Sequence, residues 1–288
     1  MGLFNYRQWE IAKYIKEHTG ADVFDYRDFH TQQPRVSGVK ILVANREEIE
    51  FPLQVMPKHI IPCGPIIRPT PLLADSDIDL NLWLNQGPTI YINLGTHVYW
   101  DQDLVIAMTH ALSRILENAD TDTYKSIHAL QILWKLNCAG ITDALIYTKL
   151  GKYIDSRRVR ITEWLDSEPA SVVRHRNIAV SVSHGGANSF LEAITAGKPQ
   201  IILPAWMDCF DFASRVEILG IGVWGNKNTI GRFKAADLYD AFKEVLVGPR
   251  STKIQEKAMM LAELFRREPG REKAASVILN EIDGTLEA

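Results

Sequence analysis

Cysteine is scarce, with three residues in 288, namely Cys63, Cys138 and Cys209. They are scattered, without Cys-x-x-Cys or metal-ligand spacing. That argues against a disulfide framework or a zinc site and predicts a reducing, cytoplasmic compartment. Long hydrophobic runs are also missing. No stretch approaches the roughly 18 apolar residues of a membrane span, and the start does not read as a secretory leader. Neither sign of charge dominates. Lys and Arg number 32 against 35 for Asp and Glu, which offers no footing for nucleic acid or an anionic membrane as a partner. Repeats and low-complexity tracts are absent.

What is present is an alternation of strand and helix. Apolar, β-branched runs predict strands over residues 39–44, 60–63, 89–94, 131–136, 159–161, 178–182, 199–203 and 221–224. Helical spacing predicts helices over 5–18, 101–116, 141–150, 211–219, 235–247, 252–267 and 272–282, a short one at Trp83-Leu84, and one that opens after Gly185-Gly186 and stops at Gly197 and Pro199. Residues 19–38 read as polar and irregular. Residues 65–79 are proline-rich and then carry Asp75, Asp77 and Asp79, which suits a solvated linker. The pattern predicts an α/β fold, a Rossmann-like parallel sheet with helices on both faces. In such sheets ligands bind beyond the carboxyl ends of the strands. Four candidate elements follow strand ends: Gly95-Thr96, the Trp164 loop, His184-Gly185-Gly186, and the loop from Pro204 to Asp208. They are expected to converge on one crevice.

The organising stretch runs from Val180 to Glu192 and reads as strand, sharp turn, helix. A turn without Cβ atoms lets backbone N–H groups approach a ligand, and the helix that follows aims its unpaired N–H groups at the same place. Asn188 and Ser189 add side-chain donors at the first helical turn. That combination suits a diphosphate. Glu192, about one turn further in, is placed to accept from paired sugar hydroxyls. A plain strand–helix turn with a Ser or Asn cap is the competing reading. Trp164 is either a stacking platform for a flat base or a core aromatic. Asp75, Asp77 and Asp79 lack the glycine and the last glutamate of a calcium loop, so no metal site is expected.

The longer string is His184-Gly185-Gly186-x-Asn188-Ser189-x-x-Glu192, then Gly197-x-Pro199, Pro204-x-x-x-Asp208, Ala213, Arg215 and Leu219-Gly220-Ile221-Gly222. It resembles the donor-binding signature of family 1 glycosyltransferases, which move a sugar from a UDP-sugar to a small hydroxylated acceptor. The resemblance runs from about residue 41 to the end and is nearest to fungal members. It implies the C-terminal half of a GT-B fold: residues 1–64 as a remnant of the N-terminal acceptor-binding domain, 65–80 as the interdomain linker, and 81–288 as the UDP-sugar-binding domain. It implies donor-binding roles for Gly95, Thr96, Trp164, His184, Gly185, Gly186, Asn188, Ser189, Glu192 and Asp208. Trp164 would stack on uracil, Gly95, Thr96, Asn188 and Ser189 would touch the diphosphate, and Asp208 would bind sugar hydroxyls. Cys209 and Phe212 stand where the family has Gln and Asn.

The family's catalytic base is a histidine near the start of the N-terminal domain. His18 and His30 sit in the wrong context for it, so no catalytic residue is assigned. The expectation is a glycosyltransferase, with glucose as the sugar, whose donor half this chain carries and which is weak or inactive alone. It needs no cofactor beyond the UDP-sugar, its donor substrate. Two alternatives stand beside it: a donor-binding subunit completed by a separate acceptor-domain partner chain, and a non-catalytic nucleotide-sugar-binding protein. Exposed apolar residues around Phe4 to Ile15 and Phe51 to Ile61 would favour a partner.

Overall fold

A computed structural model describes residues 2–22, 39–137, 143–229 and 231–286. His30, the stretch up to residue 38, Cys138 and the first two residues of the helix expected over 141–150 lie outside the described residues. The chain divides into two compact units. The first comprises Met1–Val43 and Leu53–Pro62, and the second Ala44–Pro52 and Cys63–Ala288. In the first unit, α1 (Gly2–Thr19) precedes β1 (Ile41–Val43) and β2 (Ile60–Pro62), which pair in parallel with Ile41 opposite Ile60.

The second unit holds six strands: β3 (Thr89–Asn93), β4 (Gln131–Lys135), β5 (Val159–Thr162), β6 (Ile178–Ser183), β7 (Gln200–Ile202) and β8 (Gly222–Trp224). They form one parallel sheet in the order β5-β4-β3-β6-β7-β8. Each expected strand is found within two residues of its expected ends. Alternation along the strands feeds two faces. Ile90 and Ile92 join one apolar cluster and Tyr91 another, while Ile132 and Trp134 part from Leu133 in the same way. Both faces must therefore be covered by helices. One is covered by α4 (Gln102–Ala119), α5 (Asp143–Asp155) and α9 (Ala235–Leu246), which supply Met108, Leu112, Ile115, Leu150, Tyr153 and Phe242. The other is covered by α6 (Pro169–Val173), α7 (Ala187–Thr195), α8 (Cys209–Leu219) and α10 (Ser251–Arg267), with Phe190, Val216, Leu261 and Phe265 buried there. A last helix, α11, spans Gly270–Leu286.

Two local expectations need correcting. The solvated stretch of residues 65–79 contains α2 (Leu73–Ser76) and leads into α3 (Ile78–Leu84). Leu73, Leu80, Trp83 and Leu84 bury in the third apolar cluster, and that burial outweighs the polar composition. Asp77 is the N-cap of α3, accepting from the Leu80 N–H at 3.0 Å, and Asp79 pairs with Arg160 at 2.7 Å. The helix expected over 141–150 runs on to Asp155, because Leu150 and Tyr153 keep its inner face apolar. Among the described residues no helix is long and apolar enough to cross a membrane.

Candidate functional site

The strand order reverses direction between β3 and β6, with β4 and β5 on one side and β7 and β8 on the other. At such a switch point the loops leaving the two central strands diverge and open a crevice at their carboxyl ends. Gly95-Thr96 follows β3 and His184-Gly185-Gly186 follows β6, so both lie at this crevice.

The two turns are keyed together by one side chain. A Cβ at Gly95 would stand 2.9 Å from Cε1 of His184, and a Cβ at Gly186 would stand 2.6 Å from its Nε2. The imidazole fits because neither position has a side chain. Gly95 and Gly185 also have φ of 78° and 86°, a region that L side chains rarely adopt. Burial lowers the affinity of the His184 ring for a proton. Asp208 opposes this from nearby and His97 adds to it, so the ring is held towards its neutral form. Its Nδ1 is buried without a hydrogen-bond partner.

Around this key the backbone is braced by short side chains. Asn93 accepts from the Gly95 N–H at 3.0 Å and donates to the Tyr91 hydroxyl at 2.9 Å. Ser183 Oγ accepts from the Gly185 N–H at 3.2 Å. Helix α7 starts directly after Gly186 and has no side-chain cap, so its first N–H groups and positive dipole end are left for a ligand or water. Asn188 is exposed and Ser189 half-buried on this first turn. Glu192 is half-buried one turn on. Burial, with help from the nearby Glu168 charge, pushes its carboxyl from 4.5 up to about 7. A freely solvated helix-surface glutamate would not behave so.

The loop after β7 brings Trp206, Met207 and Asp208 to the same end. The Trp206 ring lies 5.8 Å from that of His184, tilted by 41°. Met207 is largely exposed with a φ of 39°. Asp208 is exposed at the start of α8 and caps nothing with its side chain. Cys209 is buried beneath Gly185, and Phe212 packs on Phe190 with ring centroids 4.9 Å apart, so both turn from the crevice into the core.

Trp164 stands apart from these groups. It follows β5, three strand spacings from β6, or about 14 Å across the sheet. The residue is 61% exposed, which removes the core-packing alternative. A cavity of about 430 Å³ adjoins it, lined also by Leu133, Ile154, Ile161, Thr162 and Leu165.

The structure thus brings Gly95, His184, Gly185, Gly186 and Asp208 together. Thr96 is on the same turn, Asn188, Ser189 and Glu192 line the adjoining helix, and Trp164 lies at the far end of the strand row. Trp206, which the sequence leaves open between lining the acceptor side and packing, stands beside His184. Two residues at this edge escaped the sequence reading: His97, which also stands beside His184, and Lys135, which lies under Trp164. Their one local signal was a position just after, or at the end of, a predicted strand.

Comparison with known proteins gives consistent results. Residues 129–277 match the family model described as UDP-glucoronosyl and UDP-glucosyl transferase. The glycosyltransferase sdnJ of Sordaria araneosa, a fungus, is 34% identical over 276 residues, covering 88% of this chain and 52% of that protein. The 2-hydroxyacylsphingosine 1-beta-galactosyltransferase of Rattus norvegicus is 25% identical, covering 77% of this chain and 35% of that protein. The chain spans about half the length of these curated relatives, or less. Among solved structures, Phytolacca americana UGT2, complexed with UDP-2fluoro-glucose and pterostilbene, superposes with a TM-score of 0.63 at 17% identity, covering 85% of this chain and 52% of that one. The fold is that of GT-B glycosyltransferases, matched over about half of such a molecule.

Proposed function

Since the chain belongs to the UDP-glycosyltransferase family, by the match over residues 129–277, we propose that it carries the donor-binding half of a transferase. The reaction moves a sugar, glucose in the simplest case, from a UDP-sugar to a small hydroxylated acceptor. One observation carries this reading: the His184 ring locks the Gly95 and Gly186 turns together at the switch point, beside the uncapped start of α7. The diphosphate sits on these turns, with Thr96, Asn188 and Ser189 donating to it. Glu192 accepts from the ribose hydroxyls and Trp164 stacks on the uracil. Asp208 takes a sugar hydroxyl without the companion amide, because Cys209 faces the core. Residues 81–288 form the donor domain, 65–80 the linker, and 1–64 part of the acceptor side.

Transfer also requires a base to take the proton of the attacking hydroxyl. No residue of this chain is assigned that task. His18 lies on α1 with its Nδ1 2.8 Å from the Tyr14 carbonyl and its ring stacked on that of Tyr14. Transfer by the 288-residue chain alone is therefore expected to be weak or nil. A second reading, a donor-binding subunit completed by an acceptor-domain partner chain, is favoured by exposed apolar side chains in the first unit: Ile11 and Tyr14 on α1, and Leu53, Val55 and Met56 before β2.

The test is a calorimetric titration with UDP and UDP-glucose, on wild type and a Ser189→Ala, Glu192→Ala double variant. Saturable binding by wild type, weakened in the variant by about 1–3 kcal/mol, is expected. A folded wild type that binds neither ligand refutes the donor site. Full transfer to a phenolic acceptor by this chain would overturn the statement about the base.

A further inference from the structure

Lys135 ends β4 at the carboxyl edge of the sheet, in register with Asn93 of β3 and Thr162 of β5. The side chain is only 8% exposed. Among the described residues no carboxylate pairs with it, and burial alone lowers its affinity for a proton. A buried ammonium without a counter-ion is unfavourable unless another group offers it electron density. Here that group is the Trp164 indole, whose ring centroid lies 4.4 Å from Nζ. The dependence runs both ways. Trp164 projects from a loop as a largely exposed residue. Its carbonyl is tied at 2.5 Å by Thr162 Oγ1, which fixes the backbone but leaves the ring free to turn. Among the described residues the Lys135 ammonium is the one cation found over that ring.

We propose that Lys135 is a positioning residue: its ammonium, seated on one face of the Trp164 indole, holds the ring so that the other face receives the planar pyrimidine of the donor nucleotide. The proposal rests on the reading of Trp164 as the base platform. A cation on one face and a flat ring on the other use the same π system without competing for space. Lys135 then acts on base binding through Trp164 and not by touching phosphate.

The experiment compares wild type, Lys135→Met, Lys135→Arg, Trp164→Ala and the Lys135→Met, Trp164→Ala pair. UDP is titrated by calorimetry and uridine by competition against UDP, with thermal unfolding of each variant to confirm the fold. Lys135→Met keeps the stem and removes the charge. It is expected to weaken uridine and UDP by the same factor, about five- to tenfold. Lys135→Arg is expected to stay near wild type, since a guanidinium also seats on an indole face. In the Trp164→Ala background Lys135→Met should change nothing further. The proposal alone is overturned if Lys135→Met weakens UDP but not uridine, which would make Lys135 a phosphate contact. It is equally overturned if its full effect persists without Trp164. If Trp164→Ala binds both ligands as wild type does, the base platform falls and the proposal falls with it.

Discussion

Two residues carry the most direct tests. Gly185 combines a φ of 86° with a missing Cβ that would stand 2.6 Å from Cγ2 of Ile202. Gly185→Ala must strain the backbone and displace β7 at once. The expected outcome is a loss of about 1–3 kcal/mol in denaturant unfolding, together with loss of UDP binding. Glu192 gives a pH signature. The unfolded chain releases this proton near pH 4.5 and the folded chain near 7. Between those values the folded state holds more protons, so the stability it contributes is full below 4.5 and lost as the pH rises through 7. Wild type should therefore lose stability relative to Glu192→Gln between about pH 4.5 and 7.5. A difference that is flat with pH would refute the burial argument. If the ionised carboxylate takes the ribose hydroxyls, UDP binding near pH 6.5 also releases protons, seen as a buffer-dependent heat. The identity of the glycine turn was plain from sequence, because Gly-Gly between a β-branched run and a helical face is a local pattern. The raised pKa of Glu192 was not, because burial there depends on packing that brings Tyr91 and Glu168 near.

Among the elements, two helices of the second unit open on an aspartate side-chain cap, Asp77 at α3 and Asp101 at α4. Asp77 accepts from the Leu80 N–H and from Ser167 Oγ at 3.0 Å each. It therefore joins the start of α3 to the loop after Trp164. Asp77→Ala should lower stability by about 1 kcal/mol in chemical denaturation. UDP affinity should be unchanged, since the cap lies outside the proposed contacts. Loss of UDP binding with stability intact would show instead that this loop sets the base end of the site. The sequence reading took Asp75, Asp77 and Asp79 together as solvated linker. The cap was not legible because α3, the helix it opens, has seven residues, only about two turns of periodicity. The strands were legible for the opposite reason. Each is a β-branched run bounded by turn residues, as in Thr89–Asn93 and Ile178–Ser183.

For the whole molecule, all three apolar clusters lie in the second unit, which also contributes every proposed donor contact. Its early segment takes part, since Ile49 is fully buried with Phe190 and Phe265, and Arg215 pairs with Glu50 at 2.6 Å. Removing Met1–Val43 should therefore leave cooperative unfolding and UDP affinity near those of the intact chain. Removing residues 1–62 should destabilise the fold, because Ile49 leaves a hole of the kind that costs about 2–5 kcal/mol. The two truncations, compared by calorimetric unfolding, check where the second unit begins.

The sequence by itself determined the order and kind of elements, the glycine turns and the family resemblance. These follow from local rules: side-chain alternation, helical spacing, and the backbone freedom that glycine alone has. Only the tertiary structure decided which turns meet. Nothing local to Gly95 says that β3 lies next to β6, yet that neighbourhood puts the His184 ring over both glycines. Nothing local to Lys135 says that β5 lies beside β4 and delivers Trp164 above it. Strand order is settled by how two apolar faces are covered together. It is a property of the packed whole, and the crevice inherits its chemistry from it.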